Sequence, residues 1–232
     1  MLRKMYNALL LLFFVLAVPS QLLAAIGCTL NNPAQDLKYL FPDVTSFKEE
    51  IKEFRHLSDG KNLYENLKVR LGSDLDPVYE SFDTPYTVYS VFKNKELIGL
   101  VHGVNIPGQG GVIQVFLSIS PSTGEIVKFF FQRLESSEAG KLKNKNFREM
   151  FHGLTLADFY KHDYFVSAEP ENDNDKIGNI IKKQSSGGKD FSSTIRGIRK
   201  NLILLDIFVF ERKFEVFFQR TQDLLKKSSE KK

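Results

Sequence analysis

The 232-residue sequence contains a single cysteine, has no tryptophan, and includes only one long apolar run. The lone Cys28 excludes a disulfide framework and any zinc or iron–sulfur site built from cysteines. The single apolar run excludes a protein with several membrane spans. A hydrophobic fraction of 42% and a charged fraction of 26% exclude wholesale disorder and indicate a globular domain with a sizeable core.

The N-terminus has the pattern of a secretory signal peptide. Arg3 and Lys4 precede an uninterrupted apolar run over residues 8–18, and the polar Ser20 and Gln21 follow shortly after it. A membrane-spanning helix needs about 20 apolar residues, and this run is shorter. Residues 1–27 are therefore predicted to be a signal peptide, with a retained N-terminal anchor as the alternative.

The end of this segment bears on localisation. Ala25-Ile26-Gly27 before Cys28 resembles a bacterial lipobox, in which the cysteine becomes the lipidated first residue, although Ala25 stands where leucine is usual. The same residues satisfy the rule for ordinary secretion, so plain export remains open. The resemblance implies lipidation at Cys28 and a membrane-anchored protein on the periplasmic side of the cell envelope. Removing residues 1–27 lowers the net charge from +4 to +2, which does not favour nucleic acid as a partner.

The mature chain is predicted to be α+β, with helices packed on an antiparallel sheet. Residues 28–35 are expected to be a tether, and residues 36–80 a helical N-terminal extension. Alternating apolar residues then predict four strands in two hairpins, at residues 86–92, 97–103, 112–120 and 126–133. Phe129, Phe130 and Phe131 are expected to pack on both faces of a buried strand.

The last third of the chain is predicted to be mainly helical. Residues 167–178 are acidic and are expected to form an exposed loop. A buried helix is predicted from residue 193, running into a strand by residue 210. The main domain is assigned to residues 81–212. Residues 213–232 are expected to be a C-terminal extension with a frayed tail.

Few residues suggest catalysis. The four histidines share no metal-binding spacing, and His162-Asp163 is at most half of a catalytic pair without a nucleophile beside it. Residues 190–194 place hydroxyl groups at the expected helix start, where free backbone N–H groups attract anions. Arg196, Arg199 and Lys200 add positive charge, so this stretch outlines a phosphate site. An ordinary capped helix with a solvated basic face is the alternative.

The order of several segments resembles that of FMN-binding domains. Such domains occur in peripheral subunits of sodium-pumping NADH:quinone reductase and of Rnf-type electron-transport complexes, and in exported flavoproteins. The resemblance covers roughly residues 85–210 and lies in the shared order of short motifs. The matching segments are Phe41-Pro42-Asp43-Val44, residues 110–119, residues 123–127, Glu135-Ser136 and residues 147–153.

The resemblance implies a flavin site at the start of the predicted helix. Residues 191–194 lie where the family has Ser-Gly-Ala-Thr, whose threonine carries FMN through a phosphoester bond. Phe191 and Ser192 depart from that motif, so covalent attachment through Thr194, non-covalent binding and absence of flavin all remain open. The candidate flavin-binding residues are Thr194, Ser193, Ser192, Glu135, Ser136 and Arg196, of which Arg196 stands where the family usually has a small hydroxyl residue and is included for its charge.

The expected function is electron transfer in the cell envelope by an exported, lipid-anchored FMN-binding protein. Because no cysteine is present outside position 28, a redox role would depend on a bound cofactor. Redox proteins are the implied partners, and the chain is expected to be a component of electron transfer rather than a stand-alone catalyst. The alternative is a flavin-free binding or scaffold protein on the same fold.

Overall fold

A computed structural model describes residues 28–77, 79–167, 174–184 and 188–230, so the predicted signal peptide lies outside the described residues. Two short 3-10 turns, Phe54–His56 and Gly72–Asp74, flank the second helix. In chain order the helices and strands are α1 (Pro33–Leu40), β1 (Ser46–Lys52), α2 (Gly60–Leu71), β2 (Tyr86–Lys93), β3 (Glu96–Pro107), β4 (Val112–Ile119), β5 (Ile126–Arg133), α3 (Ala139–Leu142), α4 (Lys145–Glu149), α5 (Leu156–Ser167), α6 (Lys176–Lys183), α7 (Lys189–Phe208) and α8 (Glu215–Ser229).

The five strands form one antiparallel sheet in the order β1-β2-β3-β4-β5, which confirms the predicted α+β class. The four expected strands are present, and the fifth, β1, comes from the region expected to be helical. β1 pairs with β2 from Ser46 opposite Phe92 to Lys52 opposite Tyr86. Its side chains are mostly exposed and charged, as is common at a sheet edge, and this obscured the strand in the sequence.

Each face of the sheet is covered by a different part of the chain, because successive strand residues point to opposite faces. The inner face packs against α7 and α5 through a large apolar cluster. Phe129 and Phe131 join this cluster, whereas Phe130 packs on the outer face, as predicted. The outer face is covered by an apolar cluster whose buried members are Cys28, Leu30, Leu37, Leu40, Phe41, Tyr89, Val91, Val101 and Phe116.

The segment expected to be a tether is attached to the sheet. The backbone N–H of Leu30 donates to the Tyr89 hydroxyl at 3.0 Å, and Gln132 donates to the carbonyl of Thr29 at 2.9 Å. Gln132 also accepts from the N–H of Asn31 at 2.8 Å. The polar residues of this segment therefore have partners in the sheet, which composition alone does not reveal.

The long helix α7 begins and ends differently from the prediction. It starts at Lys189, with Gly188 at the cap, and continues to Phe208, so the strand expected by residue 210 is absent. Its isoleucine and leucine side chains face the inner cluster at helical spacing. The tail that was expected to fray instead forms α8, whose Thr221 is buried and donates to the carbonyl of Tyr160 at 3.0 Å.

Candidate ligand-binding site

The first turn of α7 meets two loops, the glycine-rich loop at residues 108–111 and the loop that contains Glu135 and Ser136. The backbone N–H of Gln109, in the glycine-rich loop, donates to the Asp190 carboxylate at 2.6 Å. The backbone N–H of Gly188 donates to the carboxylate of Glu138 at 2.6 Å. These bonds bring the loop around Glu135 and Ser136 close to the start of α7, although the segments are about fifty residues or more apart.

The glycine-rich loop is also close to Glu135. A Cβ atom placed on Gly110 would lie 2.1 Å from the carbonyl oxygen of Glu135, so only glycine fits there. The Glu135 side chain is exposed and pairs with Arg133 at 3.0 Å. The Ser136 hydroxyl accepts from the N–H of Glu138 at 3.0 Å. Both side chains therefore have local partners.

The hydroxyls of Ser193 and Thr194 point into the protein. Thr194 is 0% exposed, and its hydroxyl donates to the carbonyl of Asp190 at 2.8 Å. The buried Ser193 hydroxyl donates to the carbonyl of Pro107 at 2.9 Å. Because α7 begins at Lys189, these residues lie in its second turn, where backbone N–H groups bond within the helix. The expectation that they stand at a helix start with free N–H groups is therefore wrong.

A cleft of about 620 Å³ opens between α2, α5, α7 and α8. Ser192 and Arg196, two of the candidate flavin-binding residues, line it, whereas Thr194, Ser193, Glu135 and Ser136 do not. Its apolar wall is formed by Val69, Leu71, Phe159, Ile181, Phe191, Ile195 and Phe218. The cleft therefore joins an aromatic surface to a charged rim, a combination typical of small-molecule sites.

The charges at this rim are matched. Arg196 contacts Asp74 at 2.6 Å, and Arg199 contacts Asp163 at 2.8 Å and Asp74 at 3.7 Å. The buried Nε of Arg199 has no hydrogen-bond partner among the described residues. Lys200, the third cation of the predicted phosphate site, is buried and pairs with Glu80 at 3.0 Å, so it does not reach the cleft.

Below the rim, three buried polar side chains connect α2 to α5 and α7. Arg70 donates to the Tyr160 hydroxyl at 2.8 Å and forms an ion pair with Asp206. Burial raises the pKa of Tyr160 to about 12, and burial also raises the pKa of Asp206. With its guanidinium committed to these partners, Arg70 is a structural part of the cleft wall.

His162 lines the cleft, but its carboxylate partner is not the neighbouring Asp163. Its Nδ1 lies 3.0 Å from Asp175, whose carboxylate also accepts from the N–H of Gly178 at 2.7 Å and so caps α6. Asp175 is buried, although it lies in the acidic stretch expected to form an exposed loop. Its position just before Lys176 and Ile177 was the available sign of a capping residue.

The thiol of Cys28 is buried and is not exposed at the surface. Cys28 is 6% exposed within the outer-face cluster, and burial raises the pKa of its thiol to about 12. Among the described residues, no helix is long and apolar enough to cross a membrane. In the same part of the chain, no group of three or more histidine, cysteine or acidic side chains is placed to hold a metal ion.

Comparisons with protein-family models, with curated proteins and with solved structures find no match for this chain. The fold and the site define an α+β protein with a five-stranded antiparallel sheet and a ligand-sized cleft beside α7.

Proposed function

We propose that the chain is an exported protein of the cell envelope that binds FMN without a covalent bond and takes part in electron transfer. The observation that carries this proposal is the composition of the cleft. Ser192 and Arg196, two of the candidate flavin-binding residues, line a cleft of about 620 Å³ together with three phenylalanines. That volume is within the usual range for small-molecule sites, about 300–1,000 Å³.

The residues of the cleft fit a flavin held non-covalently. Phe159, Phe191 and Phe218 offer aromatic surface to a planar ring system. Arg196 and Ser192 offer a cation and a hydroxyl to a phosphate. When bound, the flavin would supply the redox chemistry, which the side chains themselves lack. The chain would bind and orient it and shield its ring from water.

The residues do not fit a phosphoester at Thr194. Its hydroxyl is enclosed in α7 and donates to the carbonyl of Asp190, so esterification would require this part of the helix to unfold. Lipid anchoring at Cys28, which belongs to the same proposal, requires a related change. The buried thiol would have to leave the outer-face cluster to carry a lipid.

A flavin-free binding or scaffold protein is the second candidate, and two contacts favour it. The Glu138 carboxylate accepts from the N–H of Gly188, at the helix start where a phosphate would otherwise be attracted. Asp74 and Asp163 already neutralise the two arginines of the cleft. A phosphate would compete with these carboxylates for the same donors.

The absorbance spectrum separates the two candidates. The whole gene is expressed in an exporting host, and the purified protein is examined for the visible absorbance of an oxidised flavin. We expect a yellow protein, or one that becomes yellow on addition of FMN. A protein that stays colourless after FMN is added would exclude the flavin function.

Two variants then define how the flavin is held. Arg196→Gln should weaken FMN binding by about tenfold, as expected for loss of a charge-assisted hydrogen bond. Thr194→Val, which preserves the shape of the buried side chain, is the matched control and should bind FMN like the wild type. Flavin fluorescence that stays on the denatured wild-type band and disappears in Thr194→Val would show a covalent bond instead.

A further inference from the structure

A second, smaller cavity lies away from the cleft, where α1, β5 and α4 meet. It has a volume of about 110 Å³, and we call it the basic groove. Its lining consists of Tyr39, Val127, Lys128, Lys145, Arg148 and Glu149. The three cations come from two separate elements, and the ring of Tyr39 lies between two of them.

Tyr39 holds two of these cations in place. Its hydroxyl accepts from Arg148 Nη1 at 2.6 Å. The ammonium of Lys128 lies 5.0 Å from the centre of the Tyr39 ring and donates to its carbonyl at 3.3 Å. The lysine and the arginine are therefore fixed beside the cavity rather than free to extend into water, which lowers the entropy cost of binding an anion.

The guanidinium of Arg148 has an unused donor. Its Nε is buried and has no hydrogen-bond partner among the described residues. A buried donor without an acceptor is costly, and native proteins almost always supply one. The Arg148 side chain lines the cavity, and its one described hydrogen bond is the one to Tyr39.

The charge around the groove is not balanced. Lys128, Lys145 and Arg148 make no ion pair with a described carboxylate, and Glu149 is the one acidic residue in the lining. Three cations therefore face one carboxylate. This excess attracts an anion, and a guanidinium and two ammonium groups suit an oxyanion in particular.

We propose that the basic groove binds a phosphate group. A cavity of about 110 Å³ corresponds to three or four water molecules at about 30 Å³ each, which suits a single tetrahedral oxyanion. The Arg148 guanidinium and the ammonium groups of Lys128 and Lys145 supply the donors. The phosphate is either free or part of a phospholipid headgroup, since both present the same oxygens.

The test is isothermal titration of the purified full-length protein with inorganic phosphate, against sodium chloride at matched ionic strength. We expect saturable binding of phosphate that Arg148→Gln weakens by about tenfold. Lys145→Gln should weaken it severalfold and touches no described partner, so it tests the site even if Arg148→Gln loosens α1. Lys226→Gln, an exposed lysine of α8, is the matched control and should bind like the wild type.

A second arm identifies the source of the phosphate. The same four proteins are sedimented with vesicles of phosphatidylglycerol and with vesicles of phosphatidylcholine. If the protein binds the anionic vesicles and both Arg148→Gln and Lys145→Gln weaken that binding, the ligand is a lipid phosphate. If the protein binds inorganic phosphate in the titration but does not sediment with vesicles, the ligand is free phosphate. Absence of binding in both arms, or equal binding by Lys145→Gln and Lys226→Gln, would overturn the proposal.

Discussion

The cleft and the basic groove both present arginine or lysine, but they differ in how that charge is balanced. In the cleft, Arg196 and Arg199 both contact Asp74, and Arg199 also contacts Asp163. In the basic groove, no cation has an acidic partner within ion-pair distance among the described residues. Arg148 in the groove and Arg199 in the cleft each keep a buried Nε without a described acceptor, so the ion pairs are what distinguishes the two regions. The density of positive charge in the sequence therefore does not show which cations are already paired with carboxylates.

The paired cations cannot be recognised from the sequence because their acidic partners lie far away along the chain. Asp74 lies 122 residues before Arg196, and Glu80 lies 120 residues before Lys200. Both carboxylates come from the turn and loop after α2, which the fold places against α7. A basic run on one helix therefore says little about available charge until the opposite surface is known.

Breaking a fully buried matched pair should have the largest effect. Lys200→Met leaves the Glu80 carboxylate buried without its cation, because both side chains are almost completely enclosed. We expect the free energy of unfolding to fall by about 3–5 kcal/mol, measured by urea denaturation. Burial already raises the pKa of Glu80, so the loss should grow as the pH rises and the carboxylate ionises.

The control for this variant removes the second charge as well. Glu80→Gln combined with Lys200→Met retains an acceptor for the N–H of Asp76, which bonds to Glu80 at 2.7 Å. The double variant should recover at least about half of the lost stability, because no unpaired buried charge remains. Equal stability of the single and double variants would show that the pair is not coupled.

His102 extends the comparison to a buried group that should stay uncharged at neutral pH. Asn201 uses its amide N–H to donate to Val115, so its oxygen accepts from His102 Nδ1 at 2.7 Å. The His102 Nε2 has no described partner, and burial lowers the pKa of His102 to about 4. The native state therefore binds this proton only at acid pH, whereas the unfolded chain binds it near pH 6.5.

The sign of the pH effect follows from that difference. Between about pH 6.5 and 4 the unfolded chain holds more protons, so stability falls with decreasing pH by on the order of 3 kcal/mol. Burial raises the pKa of Glu80 and Asp206, which offsets part of this fall. His102→Gln keeps a donor for Asn201 and should flatten the profile. Parallel denaturation profiles for the two proteins would contradict the assignment.

Much of the fold could be predicted because its strands carry strong alternation. The two central hairpins and the two-sided packing of Phe129 to Phe131 follow from that pattern. The edge strand β1 could not be found this way, because Lys48, Glu49 and Glu50 expose charge and bury little. Likewise α8 is held by tertiary contacts such as Thr221 on α5, which no local propensity reports.

The candidate site was predictable only in outline. Ser192 and Arg196 lie on the same helix and both line the cleft, and their role in binding stays a prediction. The sequence does not indicate Asp74 or Phe218, because these residues approach α7 from the turn after α2 and from α8 through long-range packing. A helix start misplaced by four residues was enough to turn Thr194 from an exposed hydroxyl into a buried one.

Breaking the partly exposed ion pairs of Arg199 should cause an intermediate loss of stability. Arg199→Gln removes the contacts to Asp163 and Asp74 at the rim of the cleft. We expect a loss of about 1 kcal/mol in unfolding free energy, reduced by salt because the rim is partly solvated. Urea denaturation at low and high ionic strength measures it, and a loss that does not depend on salt would contradict an electrostatic origin.

The smallest effect on stability should come from a substitution in the basic groove, measured in the absence of phosphate. Lys145→Gln breaks no described ion pair, so the free energy of unfolding, measured by thermal denaturation, should change by no more than about 0.5 kcal/mol. Added phosphate should stabilise the wild type by mass action and Lys145→Gln much less. Arg199→Gln should retain the full phosphate-dependent rise in melting temperature, because its charge belongs to the cleft. If Arg199→Gln lost that rise and Lys145→Gln kept it, phosphate would bind in the cleft, and the difference between the two regions would be reversed.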